Sequence, residues 1–441
     1  MQADKAQDDA AVARSAMAKA SWRILPLIGL SYLIAYMDRA NISFASLQMN
    51  IDLGFSASVY GLGAGIFFVA YSMFEIPSNL IMGRFGPRRW IARIMFTWGL
   101  ISAAMMFVHT PMQFYVMRFL LGAAEAGFFP GVMVYLSGWF PSAYLGRAVS
   151  RFYLASCIGT IVMGSVAGVL LGLNGLLGLA GWQWLFLAEG LPAVAMAAGL
   201  LLLLPDSPDK AAWLSSPEKA WVVRTLTADI ESRGARHKGL LGAALDPVVL
   251  GVGLSVALSF ACYNAIVFSA PKLLIEATGW SVANVGYLVA FGGLCSIAGM
   301  LLFGWHSDRR NERYLHLSGV IGLSAAGAFA MAWTTGPIPA VLAYLCYMTP
   351  VVSIGMMAFL IPADSVHPSS RAVSFAALNT ICQVGNFLGP LLWGLAADRT
   401  GDFKFGLRVA PFVMLASMAI LLLTRRGAAR TAARAVSVGV R

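Results

Sequence analysis

Charge is scarce in this chain. Asp, Glu, Lys and Arg make up 12% of its 441 residues, about half the share of a soluble domain. So few charges exclude a water-facing surface over most of the molecule. With 59% hydrophobic residues and a mean hydropathy of +0.74, its natural solvent is lipid. Cysteine is scarce as well. Cys157, Cys262, Cys295, Cys346 and Cys382 form no C-x-x-C pair, and each lies in an apolar run. They read as small core residues, which excludes a disulfide framework and a cysteine metal site. Residues 1–22 have no apolar core, so they are not a secretory signal. They carry Asp4, Lys5, Asp8, Asp9, Arg14 and Lys19 and read as a cytosolic tail leading into a membrane span. No catalytic triad, metal spacing or nucleotide loop is found. "GLGAG" at 61–65 sits inside an apolar run with no strand before it, so small residues for helix contact explain it. An enzyme is not expected, nor any cofactor, and solute movement should run on an ion gradient.

What the chain has is long apolar runs. About 20 apolar residues cross the hydrocarbon core as a helix. Twelve runs qualify: 23–47, 57–82, 90–109, 112–139, 147–172, 181–204, 247–272, 281–305, 315–334, 337–361, 371–397 and 405–424. The only long polar connection is 205–246. The expected organisation is therefore a tail (1–22), a six-helix bundle (23–204), a cytosolic loop (205–246), a second six-helix bundle (247–424) and a basic cytosolic tail (425–441). With the N-terminus inside, 25 Lys and Arg fall on inside segments and 4 outside. That is the positive-inside pattern of a multi-pass plasma-membrane protein. It accounts for the net charge of +11 without nucleic acid as a partner.

The halves repeat. Gly83, Arg88 and Arg89 of "GRFGPRR" align with Gly304, Arg309 and Arg310 of "GWHSDRR" at an offset of 221 residues. Parallel repeats around a central pathway are a known transporter plan. At these residues the chain resembles the major facilitator superfamily, whose loop signature between second and third spans "GWHSDRRNER" at 304–313 matches. That resemblance implies two pseudo-symmetric six-helix bundles and a gating loop at Asp308, Arg309 and Arg310. The first-half copy has Pro87 where Asp308 stands, so it brings no gating carboxylate of its own. "MDRANIS" at 37–43, "FEIPSNL" at 74–80, "RFLLGAAEAGFFPG" at 118–131 and "GWQWLFLAEGLPAV" at 181–194 resemble the anion:cation symporter branch. That branch includes bacterial permeases for tartrate, phthalate, hydroxyphenylacetate and sugar acids, and animal sialin and vesicular glutamate transporters.

A charge at a helix centre costs about 2.5–3.5 kcal/mol on insertion scales, so such residues face an interior or water. Six qualify: Asp38, Arg39, Glu75, Arg118, Glu125 and Glu189. Arg118 and Glu125 are seven residues apart, on one face of the fourth span, with Gly122 between them to admit a neighbour. A buried network pinning the first and fourth spans is one reading; an anion and proton site is the stronger. Asp38 and Arg39 point about 100° apart, so one can face a proton site and the other the substrate. Tyr32, Tyr36 and Ser43 share the Arg39 face and are expected to line the same cavity, with Tyr32 and Tyr36 as substrate-binding residues. The resemblance implies that Arg39 and Arg118 attract an anion while Glu125 and Asp38 couple it to protons. Glu75 and Glu189 read as structural. In the second half, Asn379, Gln383 and Asn386 form a stripe at i, i+4 and i+7, and Tyr263 and Asn264 neighbour it in kind. These are either interhelical glue or readers of substrate oxygens. The expected function is import of a small organic carboxylate by proton symport, by a monomer in the bacterial inner membrane. A proton-driven exporter of acids or drugs is the alternative.

Overall fold

Lipid leaves a single segment one way to satisfy its own backbone donors and acceptors, the α-helix. Every regular element among the described residues is helical. A computed structural model describes residues 2–232, 242, 244–365 and 371–439. Arg233, Arg236 and Lys238 of the central segment lie outside the described residues, as does Arg441.

The first half holds α1 (Gln2–Asp52), α2 (Ala57–Phe85), α3 (Pro87–Ala104), α4 (Pro111–Glu125), α5 (Phe128–Ser137), α6 (Ser142–Gly172) and α7 (Gly181–Leu203). The central segment contributes α8 (Ser216–Ser232). The second half holds α9 (Pro247–Thr278), α10 (Val282–Arg310), α11 (Tyr314–Trp333), α12 (Pro337–Val351), α13 (Ser353–Ser365), α14 (Arg371–Thr400) and α15 (Lys404–Gly439). They give 12 stretches long and apolar enough to cross a membrane, because α4 with α5 and α12 with α13 each make one broken span. The starts are written in the sequence. Ser56 and Ser281 cap α2 and α10 through their side chains, and Thr110 with Gln113 forms a capping box on α4.

Both breaks fall in the fourth span of a half. Between α4 and α5, Ala126 leaves the helix and Gly127 takes φ 87°. A Cβ at Gly127 would come within 2.8 Å of Ser78 Cβ, so only glycine fits beside α2 there. Gly127 opens the stretch "GFFPG" at 127–131, and both close packing and a bend meet there. In the second half Pro350 lies in the last turn of α12, just before the break.

Two sequence segments are more ordered than a tail and a loop imply. α1 runs unbroken from Gln2, and α8 packs beside it. Lys19 pairs with Glu218 at 2.8 Å, and Ser15 donates to the same carboxylate at 2.7 Å. Burial alone would raise the Glu218 carboxyl; Lys19, Ser15 and the Ser215 N–H outweigh it and pull it down to about 2.

Alternating chain direction puts the connections at 53–56, 108–110, 173–180, 279–281, 334–336 and 401–403 on one face, here the opposite face. The tails and the central segment lie on the other, the terminal face. The halves close on one another toward the opposite face. Asp398 at the end of α14 accepts from the N–H groups of Ala57 and Ser58 at 2.8 and 3.0 Å, a carboxylate on a helix N-terminus. Tyr60 donates to the Phe268 carbonyl at 3.0 Å. Gly61 meets the Pro390 carbonyl and Gly65 that of Phe387. Gly164 and Gly286 bring α6 and α10 into backbone contact. The "GLGAG" stretch is thus a close-packing seam. On the terminal face, the pairs Arg88–Asp206, Asp308–Arg313 and Glu312–Arg425 each stay on one side of the molecule.

Candidate functional site

Asp38 and Arg39 part company as adjacent helical positions must. Asp38 is buried and accepts a hydrogen bond from Ser102 of α3. Arg39 turns toward α4 and pairs with Glu125. The pair is lopsided: Glu125 is fully buried, while the Arg39 side chain is 30% exposed. Glu125 is the last residue of α4, immediately before the break, and its second oxygen, Oε2, lacks a hydrogen-bond partner. The Arg39 guanidinium lies 5.4 Å from the Tyr36 ring centre, 5.9 Å from Phe67 and 5.6 Å from Tyr71, within cation–π range. One face of the cation meets rings and one edge meets a carboxylate. Part of the side chain is open to solvent.

Arg118 sits deeper. It donates to the Gly63 carbonyl at 3.1 Å and the Ala64 carbonyl at 3.5 Å, and its guanidinium is 5.0 Å from the Phe67 ring centre. Gly122 admits α2 as its place between Arg118 and Glu125 suggested: a Cβ there would meet Phe67 and Ala70. Tyr32 is buried under the site, stacked on Phe152 at 4.1 Å and edge-on to Tyr36 at 4.9 Å. Ser43 is buried and turns back to the Ala40 carbonyl.

The polar side chains of the second-half spans that the sequence singled out are neutral. Asn264 donates to Asn386 at 2.6 Å, and Asn386 donates to Gln383 at 2.6 Å, so three amides of α9 and α14 form one chain. Tyr263 is half-buried, 6.2 Å from the Phe260 ring. Asn379 stands apart from that chain and donates to Glu75 of α2 at 3.1 Å. Glu189 accepts from Asn41, tying α7 to α1. The predicted loop residues are at the terminal end of α10, away from Arg39: Asp308 pairs with Arg313, Arg309 lies over Trp305, and Arg310 is exposed. In the first half, Arg88 takes its carboxylate from Asp206 of the central segment at 3.0 Å.

Sequence reasoning passed over Phe67 and Tyr71. With Glu75 they form an i, i+4, i+8 row of two rings and an acid on α2, a signal that was there to be read. Ser102 and Asn41 carried no such signal.

The major facilitator superfamily model matches residues 28–390. A protein of Agrobacterium vitis named "Putative tartrate transporter" is 40% identical over 92% of this chain and 91% of its own. A "Quinolone resistance transporter" of Acinetobacter baumannii is 38% identical over 90% of this chain and 91% of its own. Among solved structures, a bacterial homologue of the human lysosomal transporter Spinster, inward-facing and occupied, aligns with TM-score 0.73 at 17% identity. That alignment covers 92% of this chain and 96% of that one. Fold, family model and end-to-end relatives agree: the chain belongs to the major facilitator superfamily and is a membrane transporter, not an enzyme.

Proposed function

We propose that the chain imports a small organic carboxylate, a hydroxy, dicarboxylic or aromatic acid, by proton symport, as a member of the anion:cation symporter branch. The observation that carries this reading is the Arg39–Glu125 pair, one partner partly open and the other sealed. A substrate carboxylate competes with Glu125 for the guanidinium and can take it in a bidentate grip. Glu125, stripped of its counter-ion in a dry site, is then stabilised by binding a proton. Loading the anion and loading the proton become one event, and both are released when the site opens to the other side. Asp38 shares the proton role or positions Arg39 from the α3 side. Arg118 holds α2 and adds positive potential. Tyr36, Tyr263, Asn264 and Gln383 shape the rest of the site, and Asn379 joins them when Glu75 releases it. Asp308, Arg309 and Arg310 act at the terminal face as it opens and closes. The charge bias supports a cytosolic terminal face, in a transporter that works as a monomer in a bacterial inner membrane.

A relative named for tartrate transport supports this reading. The relative named for quinolone resistance supports a second, proton-coupled export of organic acids or drugs. Proteoliposomes separate them. Labelled tartrate, other hydroxy acids, aromatic acids and a fluoroquinolone are offered with and without an imposed proton gradient. Accumulation of one carboxylate that rises with the gradient and collapses with a protonophore is the expected result. If no carboxylate accumulates and the quinolone is moved against the gradient, the import reading fails.

A further inference from the structure

We propose that the terminal end of α10 is a binding site for the phosphate headgroup of an anionic phospholipid, formed where two cationic rows meet an exposed apolar stripe. The site is separate from Arg39 and independent of which solute is carried. Residues 301, 302, 305, 306, 309 and 310 are all exposed, whereas 303, 304 and 307 are not. At helical spacing this makes two adjacent rows on one face, Leu301–Trp305–Arg309 and Leu302–His306–Arg310. Each row passes from aliphatic through aromatic ring or imidazole to guanidinium. Farther from the terminal face the stripe continues through Phe291 and Leu294, also exposed.

Trp305, His306, Arg309 and Arg310 line a half-open surface recess of about 420 Å³. Its parts are held in place. The Arg309 guanidinium is 5.5 Å from the Trp305 ring centre. The His306 Nδ1 shares a hydrogen bond with His316 Nε2 at 2.7 Å, which leaves Nε2 of His306 for a ligand. The neighbouring carboxylate of Asp308 is engaged by Arg313 and so does not cancel the two guanidinium charges. Two arginine forks beside an imidazole suit phosphate oxygens, and an interfacial tryptophan marks headgroup depth. A soluble phosphate would use the cations and leave the stripe bare. A phospholipid uses both, its headgroup in the recess and its chains along Leu301, Leu302, Leu294 and Phe291.

The test is native mass spectrometry of the full chain released from phosphatidylcholine membranes with or without phosphatidylglycerol, counting retained lipid. Arg309→Gln with Arg310→Gln is compared with Arg84→Gln and Arg89→Gln, which removes equal charge from the matching loop of the first half. Trp305→Ala is the uncharged probe, and melting temperatures check that each variant is folded. Retained phosphatidylglycerol is expected to fall about tenfold or more in the Arg309/Arg310 variant. It should fall clearly in Trp305→Ala and change little in the Arg84/Arg89 variant, with phosphatidylcholine unaffected throughout. Equal loss in both arginine pairs, or loss in neither, overturns the proposal. Displacement of the lipid by millimolar inorganic phosphate also overturns it, in favour of a soluble-phosphate site.

Discussion

Glu125→Gln preserves the shape and hydrogen-bonding reach of the side chain beside Arg39 and removes its charge. It imitates the protonated carboxyl permanently. On the proposed reading, gradient-driven accumulation needs that proton to load on one side and leave on the other, whereas exchange of substrate for substrate does not. The variant is expected to lose accumulation and keep counterflow when both are measured in the same proteoliposomes; full accumulation would remove Glu125 from coupling. The two arginines should respond differently to lysine, because their partners differ. Arg39→Lys loses the fork that the proposed reading turns to the substrate, so affinity should weaken about tenfold or more, the equivalent of one charge-assisted bond, at nearly unchanged melting temperature. Arg118→Lys gives up the Nε bond to the Gly63 carbonyl in a buried place. It should cost about 1.5–3 kcal/mol of stability, seen as a lowered melting temperature. Equal effects of the two substitutions in binding and melting assays would contradict this division of labour.

The broken fourth spans matter because each ends a helix in the protein interior rather than at the lipid surface. Discontinuous helices at matching positions of two repeats are where transporters place their sites, and here the first break directly follows Glu125. Gly127→Ala puts a Cβ on a left-handed residue, at about 1–2 kcal/mol, and presses it on Ser78. The expected outcome is a lower melting temperature and weakened transport even though no charged group is touched. A variant that transports and melts like the parent would show that the break is incidental. Ser78 also accepts from Trp90 Nε1 at 2.9 Å, so the strain should reach the start of α3.

For the whole molecule, the contact between Asp398 and the start of α2 joins the halves at one face. A carboxylate on a helix N-terminus is worth about 0.3–1 kcal/mol and up to about 2 when partly buried, hence a population ratio changed by up to about 5–30-fold. Asp398→Ala should therefore populate forms open at the opposite face. Spin labels at positions 177 and 338, both exposed there, would report longer distances; an unchanged distribution would show that the contact does not bias the equilibrium. Sidedness has its own test. A cysteine at 177 should react with an impermeant maleimide on intact cells and one at 207 only in inverted vesicles. The opposite result reverses the proposed topology.

The twelve spans were legible because length and hydropathy suffice to define a membrane helix. The partners of the buried charges were not legible. Asp38 finds Ser102 at 64 residues' separation and Glu75 finds Asn379 at 304; such pairings are chosen by how helices rotate and dock, which no local pattern encodes. The Asn379, Gln383 and Asn386 stripe was visible as a stripe, yet packing divides it, one amide to α2 and two into the chain with Asn264.

The seams at the opposite face also make the molecule sided toward an inhibitor. On the proposed reading of Arg39 as the anion site, a carboxylate on a scaffold too bulky to be carried reaches it from the opposite face only once the Gly61–Pro390 and Gly164–Gly286 seams part. Its onset from that side would be set by the rate of parting rather than by its concentration, and Asp398→Ala would hasten it.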